Sequence, residues 1–507
     1  MFFAWPVLDV LRRGLSAAGL QVLAKSSTRQ ILWFTTWQAV VSTVLTVALG
    51  LPLACVLHRY AVPARRAALL LVTVPFVLPT VVVGAAFRSL LPASWIGGVW
   101  AILLAHVFFN LAVVVRVVGG LWSQLDPRYE AAARSLGASP WRAFRTVTWP
   151  LIRPAVAAAA VLVFLFAFTS FGVVLVLGGP STITLEVEVY RRTAELLDLS
   201  GAAALAIVQL VLLGAVLVVS GRLQARLAVR QRTRSASEVL APVRSGSARL
   251  LVAFVSVEVV LVALPLIALC SSSVRVGGHW GLDWWRALFR APVTTRDVDV
   301  GAALRVSLAY AAATVVIAVL IGGMAACAVA YARRLGSWLD AGLMVPLGTS
   351  AVTIGFGFIL AFSHQPLDLR DSVLLVPLAQ ALVAIPLVIR VVLPVLRSLD
   401  PRLRDVAATL GASPWRVWWT VDGRALSGAL AVGAGFAAAV SLGEFGATAF
   451  LYRAGSPTLP VAVVRLLSRP GAANAGTAAA AATLLMVVTG LALLLTDRWR
   501  PAASGGL

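Results

Sequence analysis

The sequence predicts an all-α integral membrane protein built by tandem duplication, with about 11–12 transmembrane helices. Three observations lead there. Of 507 residues, 60% are hydrophobic and only 12% charged, so lipid is the expected solvent. Apolar runs of about 20 residues, the length a helix needs to cross a hydrocarbon core, recur along nearly the whole chain as unbroken Leu, Val and Ala stretches without barrel-strand alternation. Finally, LDPRYEAAARSLGASPWRAFRTV, starting at Leu125, recurs without a gap as LDPRLRDVAATLGASPWRVWWTV from Leu399, 274 positions later.

Taken in order, the first half offers spans near Ile31–Leu57, Ala67–Leu91, Ile96–Val118, Leu151–Leu177 and Ala202–Ser220. The second offers Leu250–Cys270, Ala302–Tyr331, Trp338–Phe362, Ser372–Leu396, Ala425–Phe450 and Gly476–Leu495. The missing partner in the first half falls at Met1–Leu11. That segment is either the end of a sixth span, its start truncated or misassigned, or an interfacial anchor helix, for which Trp5 and Arg12 suit the headgroup boundary. This gives a first half over 1–221, a linker over 222–248, a second half over 249–500 and a disordered tail over 501–507. The stretch between Gly221 and Arg249, with QARLAVRQRTRSASEVLAPVRSGSAR, is basic and broken by Ser, Gly and Pro; it reads as a cytoplasmic tether that sets topology, with anionic-lipid binding as the alternative.

The formal charge of +22 would suggest nucleic acid in a soluble protein, but the arginines gather between apolar runs and no nucleic-acid motif interrupts them. Arg59, Arg65, Arg66 and Arg222 to Arg249 mark one side as cytoplasmic, with Arg333, Arg334, Arg498 and Arg500; the loop at Arg12, Arg13, Lys25 and Arg29 breaks that rule. The opposite loop at 178–201 balances Glu186, Glu188, Glu195 and Asp198 against arginines and belongs outside. Cys55, Cys270 and Cys327 are too scattered for a disulfide framework, and His58, His106, His279 and His364 form no ligand pair. No basic n-region or cleavage site marks a signal peptide.

Each repeat copy carries the same local mechanics. Asp126 or Asp400 is placed to cap a short helix whose first residue is Pro127 or Pro401, where the missing N–H costs nothing. Gly137 or Gly411 ends it, and Ser139-Pro140 or Ser413-Pro414 starts a second helix. A helix, a turn and a helix thus protrude on the arginine-rich side of each half. The alternative is that they lie on the membrane, anchored by Trp141 and Trp415.

These segments resemble the EAA loop of permease subunits of binding-protein-dependent ABC importers: EAA, three residues, Gly, nine residues, then I-x-LP. Aligned on the glycine, the first copy puts Ala131, Ala132 and Ala133 at the EAA positions, with Glu130 one residue early, then Gly137, Val147 and Pro150. The second gives Asp405, Val406, Ala407, Gly411 and Val421, with Arg424 where proline is expected. The resemblance implies a MetI-like bundle in each half and a coupling helix seated in a groove of an ATPase subunit. It carries the ATPase contact onto Asp126, Glu130, Ala132, Ala133, Gly137, Ala138, Ser139, Pro140, Trp141 and Arg142. In the second copy it carries it onto Asp400, Asp405, Ala407, Gly411, Ala412, Ser413, Pro414, Trp415 and Arg416. Two copies of the ATPase, binding ATP and Mg, and an extracytoplasmic solute-binding protein are the implied partners. This chain itself has no catalytic role and no cofactor: its only lysine, Lys25, follows alanine, so a Walker A GK[ST] is absent.

Polar residues inside spans are costly in lipid, which makes Arg88, Asn110, Arg116, Arg305 and Glu444 pathway candidates. The repeat pairs Glu444 with Ser170, so a pseudo-twofold axis would bring both near the outer part of the central helices; a Glu444–arginine pair is the structural alternative. The fused layout, TSFGVVLVLGGPSTITLEVEVYRR and SLGEFGATAFL resemble permeases of the thiamine and ferric-iron group, and SLGEFGAT also resembles those for molybdate and sulfate. A secondary transporter of two six-helix halves is the rival, but only Glu258 and Glu444 are acids placed within spans.

Overall fold

A computed structural model describes residues 2–227, 240–243, 245–290, 298–332, 335–363, 368–369, 372–400, 402–453 and 455–497. The basic stretch 228–239, Pro401, His364, Arg333, Arg334 and the tail from 498 lie outside the described residues.

The first half begins with α1 (Ala4–Gly14) and α2 (Ala17–Ala24), then the long α3 (Ser26–Arg59). A broken pair follows, α4 (Arg65–Val77) and α5 (Thr80–Leu90), then α6 (Val99–Gln124) and the short α7 (Arg128–Ser135). One continuous helix runs through α8 (Pro140–Ala143), a π turn at Phe144–Thr148 and α9 (Trp149–Phe168). Short α10 (Gly172–Leu177) and α11 (Leu185–Ala194) precede α12 (Leu199–Leu227).

The second half begins with α13 (Gly246–Val274), the hairpin β1 (Arg275–Val276) and β2 (His279–Trp280), and α14 (Asp283–Leu288). It then repeats the first. After α15 (Val300–Tyr331) come α16 (Gly336–Met344) and α17 (Ala351–Ala361), then α18 (Leu375–Ser398) and α19 (Arg402–Thr409). Next are α20 (Pro414–Val417), a π turn at Trp418–Gly423 and α21 (Arg424–Gly443), followed by α22 (Thr448–Leu451), α23 (Leu459–Leu467) and α24 (Ala472–Asp497). The fold is the expected all-α membrane protein in two repeated halves.

Among the described residues, nine helices are long and apolar enough to cross a membrane. The expected single span Ala67–Leu91 is instead α4 and α5, bent by 110°. Two prolines cause this: Pro75 lies inside α4, and Pro79 drives the residue before it, Leu78, into an extended conformation (φ −68°, ψ 142°). Trp338–Phe362 breaks at the equivalent place, where Thr349 is extended and the Ser350 hydroxyl accepts the N–H groups of Val352 and Thr353 to start α17. The spans expected at Leu151–Leu177 and Ala425–Phe450 likewise stop at Phe168 and Gly443, with short helices beyond.

The halves exchange helices. α13 packs on α24 of its own half and on α5 of the other; α1 packs on α12 and on α17 in the same way. The N-terminal helix α1, 11 residues long, is not among the helices long enough to cross a membrane, and it is held by this packing on both halves. Trp5 lies edge-on against Phe362, 5.8 Å between ring centres, while Pro6, Val10 and Gly14 are buried. The largest apolar core therefore draws on both halves, with Val81, Val176 and Val189 beside Val352, Phe356 and Val463.

Glycines set the closest approaches. A Cβ on Gly355 would meet Ala447 Cα at 2.5 Å, and one on the equivalent Gly84 would meet the Val176 side chain at 2.7 Å. Gly355→Ala should therefore destabilise the detergent-solubilised protein by about 1–3 kcal/mol, read as a lower thermal midpoint. Gly490→Ala, with nothing within 4 Å of its Cβ, should leave the midpoint unchanged or higher.

Candidate coupling site

The two repeated loops fold alike. Asp126 Oδ1 accepts the Arg128 N–H and Asp400 Oδ1 the Arg402 N–H, both at 2.9 Å, one residue before the expected register of an N-cap bond. Pro127 is helical in its dihedrals but precedes the first assigned residue of α7. At the other end Gly137 and Gly411 are left-handed, with φ of +88° and +82°. The Ala138 N–H donates to Ala133 O and the Gly137 N–H to Arg134 O; Ala412 and Gly411 repeat both bonds on Ala407 and Ala408. This is the Schellman closure, which a residue with a Cβ enters only with strain. Ser139 and Ser413 then cap the next helices by accepting the N–H of Arg142 and Arg416. The loss of proline at position 424 does not change the course of the chain, because both copies continue through a π turn into a long span.

The tip of each loop is apolar and open. Leu136 and Leu410 are 89% and 83% exposed, and Trp141 and Trp415 are 68% and 71% exposed. Ala132, Asp405, Ser139, Pro140, Arg142, Ser413, Pro414 and Arg416 are exposed as well, while Ala133, Ala138, Ala407 and Ala412 are half-buried under the turn. Leu136 and Leu410 escaped the sequence reading although each directly precedes its repeated glycine. The tryptophans stack at the loop base, Trp141 on Phe144 at 5.6 Å and Trp415 on Trp418 at 5.3 Å.

Glu130 points inward. It pairs with Arg59 at the end of α3 at 2.5 Å and accepts from Thr148 at 3.5 Å. In the second half Arg404 pairs with Asp422 of the π turn at 2.7 Å and donates to the Tyr331 hydroxyl at 3.2 Å. Hydrogen bonding to Asp422 raises the Arg404 guanidinium above its usual pKa.

At the outer end, the breaks after Phe168 and Gly443 bring Phe171 and Phe445, 274 residues apart and thus repeat equivalents, into a stack across the seam. Their ring centres are 5.2 Å apart at an interplanar angle of 12°, and both are buried. Tyr190 packs on Phe171 and Phe450 on Tyr190. Beside this stack Ser170 and Glu444 are buried. Glu444 caps α22, accepting the N–H of Ala447 (2.7 Å) and Thr448 (3.0 Å) and the Thr448 hydroxyl (2.6 Å), so its partners are N–H and O–H groups rather than an arginine. Asn110 is buried in α6 and donates to His106 O of its own helix. Arg88, Arg116 and Arg305 are exposed. Glu186, read as an outer-loop acid, is fully buried and accepts from Gln209. Glu258 is buried on α13, its carboxylate oxygens without a hydrogen-bond partner among the described residues.

Comparison with known proteins agrees with this architecture. The family described as "Binding-protein-dependent transport system inner membrane component" matches residues 33–232 and 318–501, one stretch in each half. The thiamine transport system permease protein ThiP of Brucella abortus (strain 2308) is 27% identical over 511 aligned residues, covering 96% of this chain and 92% of that one. The protein of the same name from Escherichia coli (strain K12) is 28% identical, covering 85% and 82%. A solved bacterial ABC transporter, involved in the import of the acidic polysaccharide alginate, overlaps 45% of this chain and 91% of its own at 16% identity and a TM-score of 0.39.

Gly137→Ala and Gly411→Ala should each loosen their loop by about 1–2 kcal/mol, the cost of a side chain at positive φ. Faster trypsin cleavage at Arg142 or Arg416, confined to the mutated loop, is the expected result in limited proteolysis.

Proposed function

This chain belongs to the binding-protein-dependent transport system inner membrane components, and from that premise we propose that it couples to a separate ATPase through two loops. It is a multi-pass permease whose halves together form the membrane part of one importer. Each of α7 and α19 docks one copy of the ATPase, which holds the ATP and Mg. An extracytoplasmic binding protein delivers the solute to the opposite face.

The observation that carries the reading is the pair of apolar tips. Leu136 and Leu410 lie on the arginine-rich side, more than four-fifths exposed and presented in the same way by both halves. Exposed leucines at the end of a rigid helix–turn–helix fit a hydrophobic groove on a partner. Asp405 and Arg142 flank them with charge that sets partner register. The contact residues of the first loop are Ala132, Ala133, Leu136, Gly137, Ala138 and Trp141, with their equivalents in the second.

For the solute we propose thiamine, on the strength of relatives that match along nearly their whole length. The way through lies at the seam, where Phe171 and Phe445 close the outer end and Ser170 and Glu444 lie beside them. Aromatic faces backed by a carboxylate suit an organic cation better than an oxyanion.

Two experiments test these statements. Cysteine at Ala138 or Ala412, in a background lacking Cys55, Cys270 and Cys327, should crosslink to the co-expressed ATPase with a yield that changes on adding nucleotide. Absence of crosslinking at both sites ends the docking claim. Cells expressing the permease, ATPase and binding protein should accumulate labelled thiamine; uptake of ferric iron, molybdate or sulfate in its place overturns the solute.

A further inference from the structure

Each ATPase-facing helix is tied to the membrane bundle at three stations that the repeat makes equivalent. Station one is the end of the long span, Arg59 or Tyr331, in the register that pairs Ala54-Cys55 with Ala326-Cys327. Station two is the short helix itself, Glu130 or Arg404, and station three is the π turn, Thr148 or Asp422, both pairs 274 residues apart. The first half fills them with Arg, Glu and Thr; the second with Tyr, Arg and Asp. One ion pair is present in each, but it has moved by one station. In the first half the cation is on the span and the anion on the short helix; in the second the cation is on the short helix and the anion on the π turn.

We propose that these are positioning clamps, and that Arg59 and Asp422 pass the displacement of each docked helix to different spans: α7 pulls on α3, and α19 on the start of α20–α21. This rests on the docking reading above and adds that the halves respond unequally. Burial supports the inequality. The Arg404–Asp422 carboxylate is 4% exposed and gripped through two guanidinium nitrogens, whereas the Glu130 carboxylate is 16% exposed and held by one. Behind α7 lies a cavity of about 150 Å³ lined by Arg59, Tyr129, Glu130, Thr148, Leu240 and Ala241, which admits water beside the first pair.

The linker takes part on the first side. Ala241 donates its N–H to Arg59 O at 2.9 Å and accepts that of Ala61 at 3.0 Å, so the end of the linker straps the residue that holds Glu130. The tether between halves thus also backs the first clamp. Its isolated bridge is to Tyr60, on the first half's side alone among the described residues.

The equivalence of stations supplies the test. Glu130→Arg places two guanidinium groups together and should cut solute transported per ATP hydrolysed by on the order of tenfold, while permease and ATPase still co-purify. Adding Arg59→Tyr and Thr148→Asp rebuilds the second-half clamp in the first half and should restore that ratio to within about threefold of the original. Should Glu130→Arg fail to assemble, Glu130→Gln, which removes the charge at constant shape, should lower the same ratio by a few fold. The proposal is overturned if the single variants keep the original ratio, or if the triple variant assembles and stays uncoupled. Crosslinking from Ala138 in the unsubstituted clamp separates the two ideas: its failure ends the docking reading, whereas its success with unchanged ratios ends only the clamp.

Discussion

An interrupted helix in hydrocarbon must find its hydrogen bonds inside the protein, and most of this architecture follows from how that is done. The breaks after Phe168 and Gly443, and those at Leu78 and Thr349, free backbone groups in the membrane's interior. Side chains on neighbouring spans meet them. Gln38 donates to Ala167 O at the end of α9. Thr35 accepts the Leu185 N–H that begins α11, and its equivalent Ser307 accepts the Leu459 N–H that begins α23. Glu444 caps α22. Residues that look like pathway groups because they are polar in lipid therefore carry structural duty as well.

The frame is symmetric and its filling is not. In the second half Thr314, Gln380, Ser441, Thr448 and Glu444 form one connected network. At equivalent stations the first half has Ser42 on His106, while Gln38 Oε1, His106 Nε2 and Asn110 Oδ1 find no hydrogen-bond partner among the described residues. An unmet buried polar atom costs about 1–3 kcal/mol, and such atoms occur in both halves, those of Glu258, Thr353 and Thr458 among them in the second. The filling differs at the cytoplasmic end as well, where the second ion pair is the more buried.

Much of this was legible in the sequence, and the illegible part has a physical reason. The loops were readable because each of their steps is local: a glycine that must be left-handed, a Ser-Pro that starts a helix, an Asp that meets the N–H two residues on. The broken spans were each counted as one helix, since hydropathy is blind to a bend, although Pro75 and Pro79 at the first break are local features of the sequence. The inward turn of Glu130 was hidden. Its partner Arg59 lies 71 residues earlier, and the resemblance read that acid as an ATPase contact. The repeat held a usable signal: Arg59 against Tyr331, Glu130 against Arg404 and Thr148 against Asp422 together are a compensated charge exchange, which ion pairs within each half would produce. The burial of Glu186 was not legible either, because the charge balance of its loop speaks only to the side of the membrane, whereas α11 packs on α12 and buries that carboxylate.

The continuous helices on either side of the seam connect the two ends of the molecule. From Pro140 to Phe168 the chain rises about 43 Å at 1.5 Å per residue, from the exposed loop to the break beside Phe171. The equivalent rod from Pro414 ends at Gly443, beside Phe445. Both rods contain a π turn near the cytoplasmic end, where the intrahelical hydrogen bonds lengthen in register from i→i+4 to i→i+5. Above that turn each rod is packed along its length, α9 against α3 and α6, α21 against α15 and α18, so it moves as a body. Because Phe171 and Phe445 stack on each other, neither rod can shift its outer end without disturbing its counterpart. Each exposed loop is therefore joined by one rod to the aromatic seam shared by both halves, and under the coupling proposed above two unequal clamps would act on that single seam.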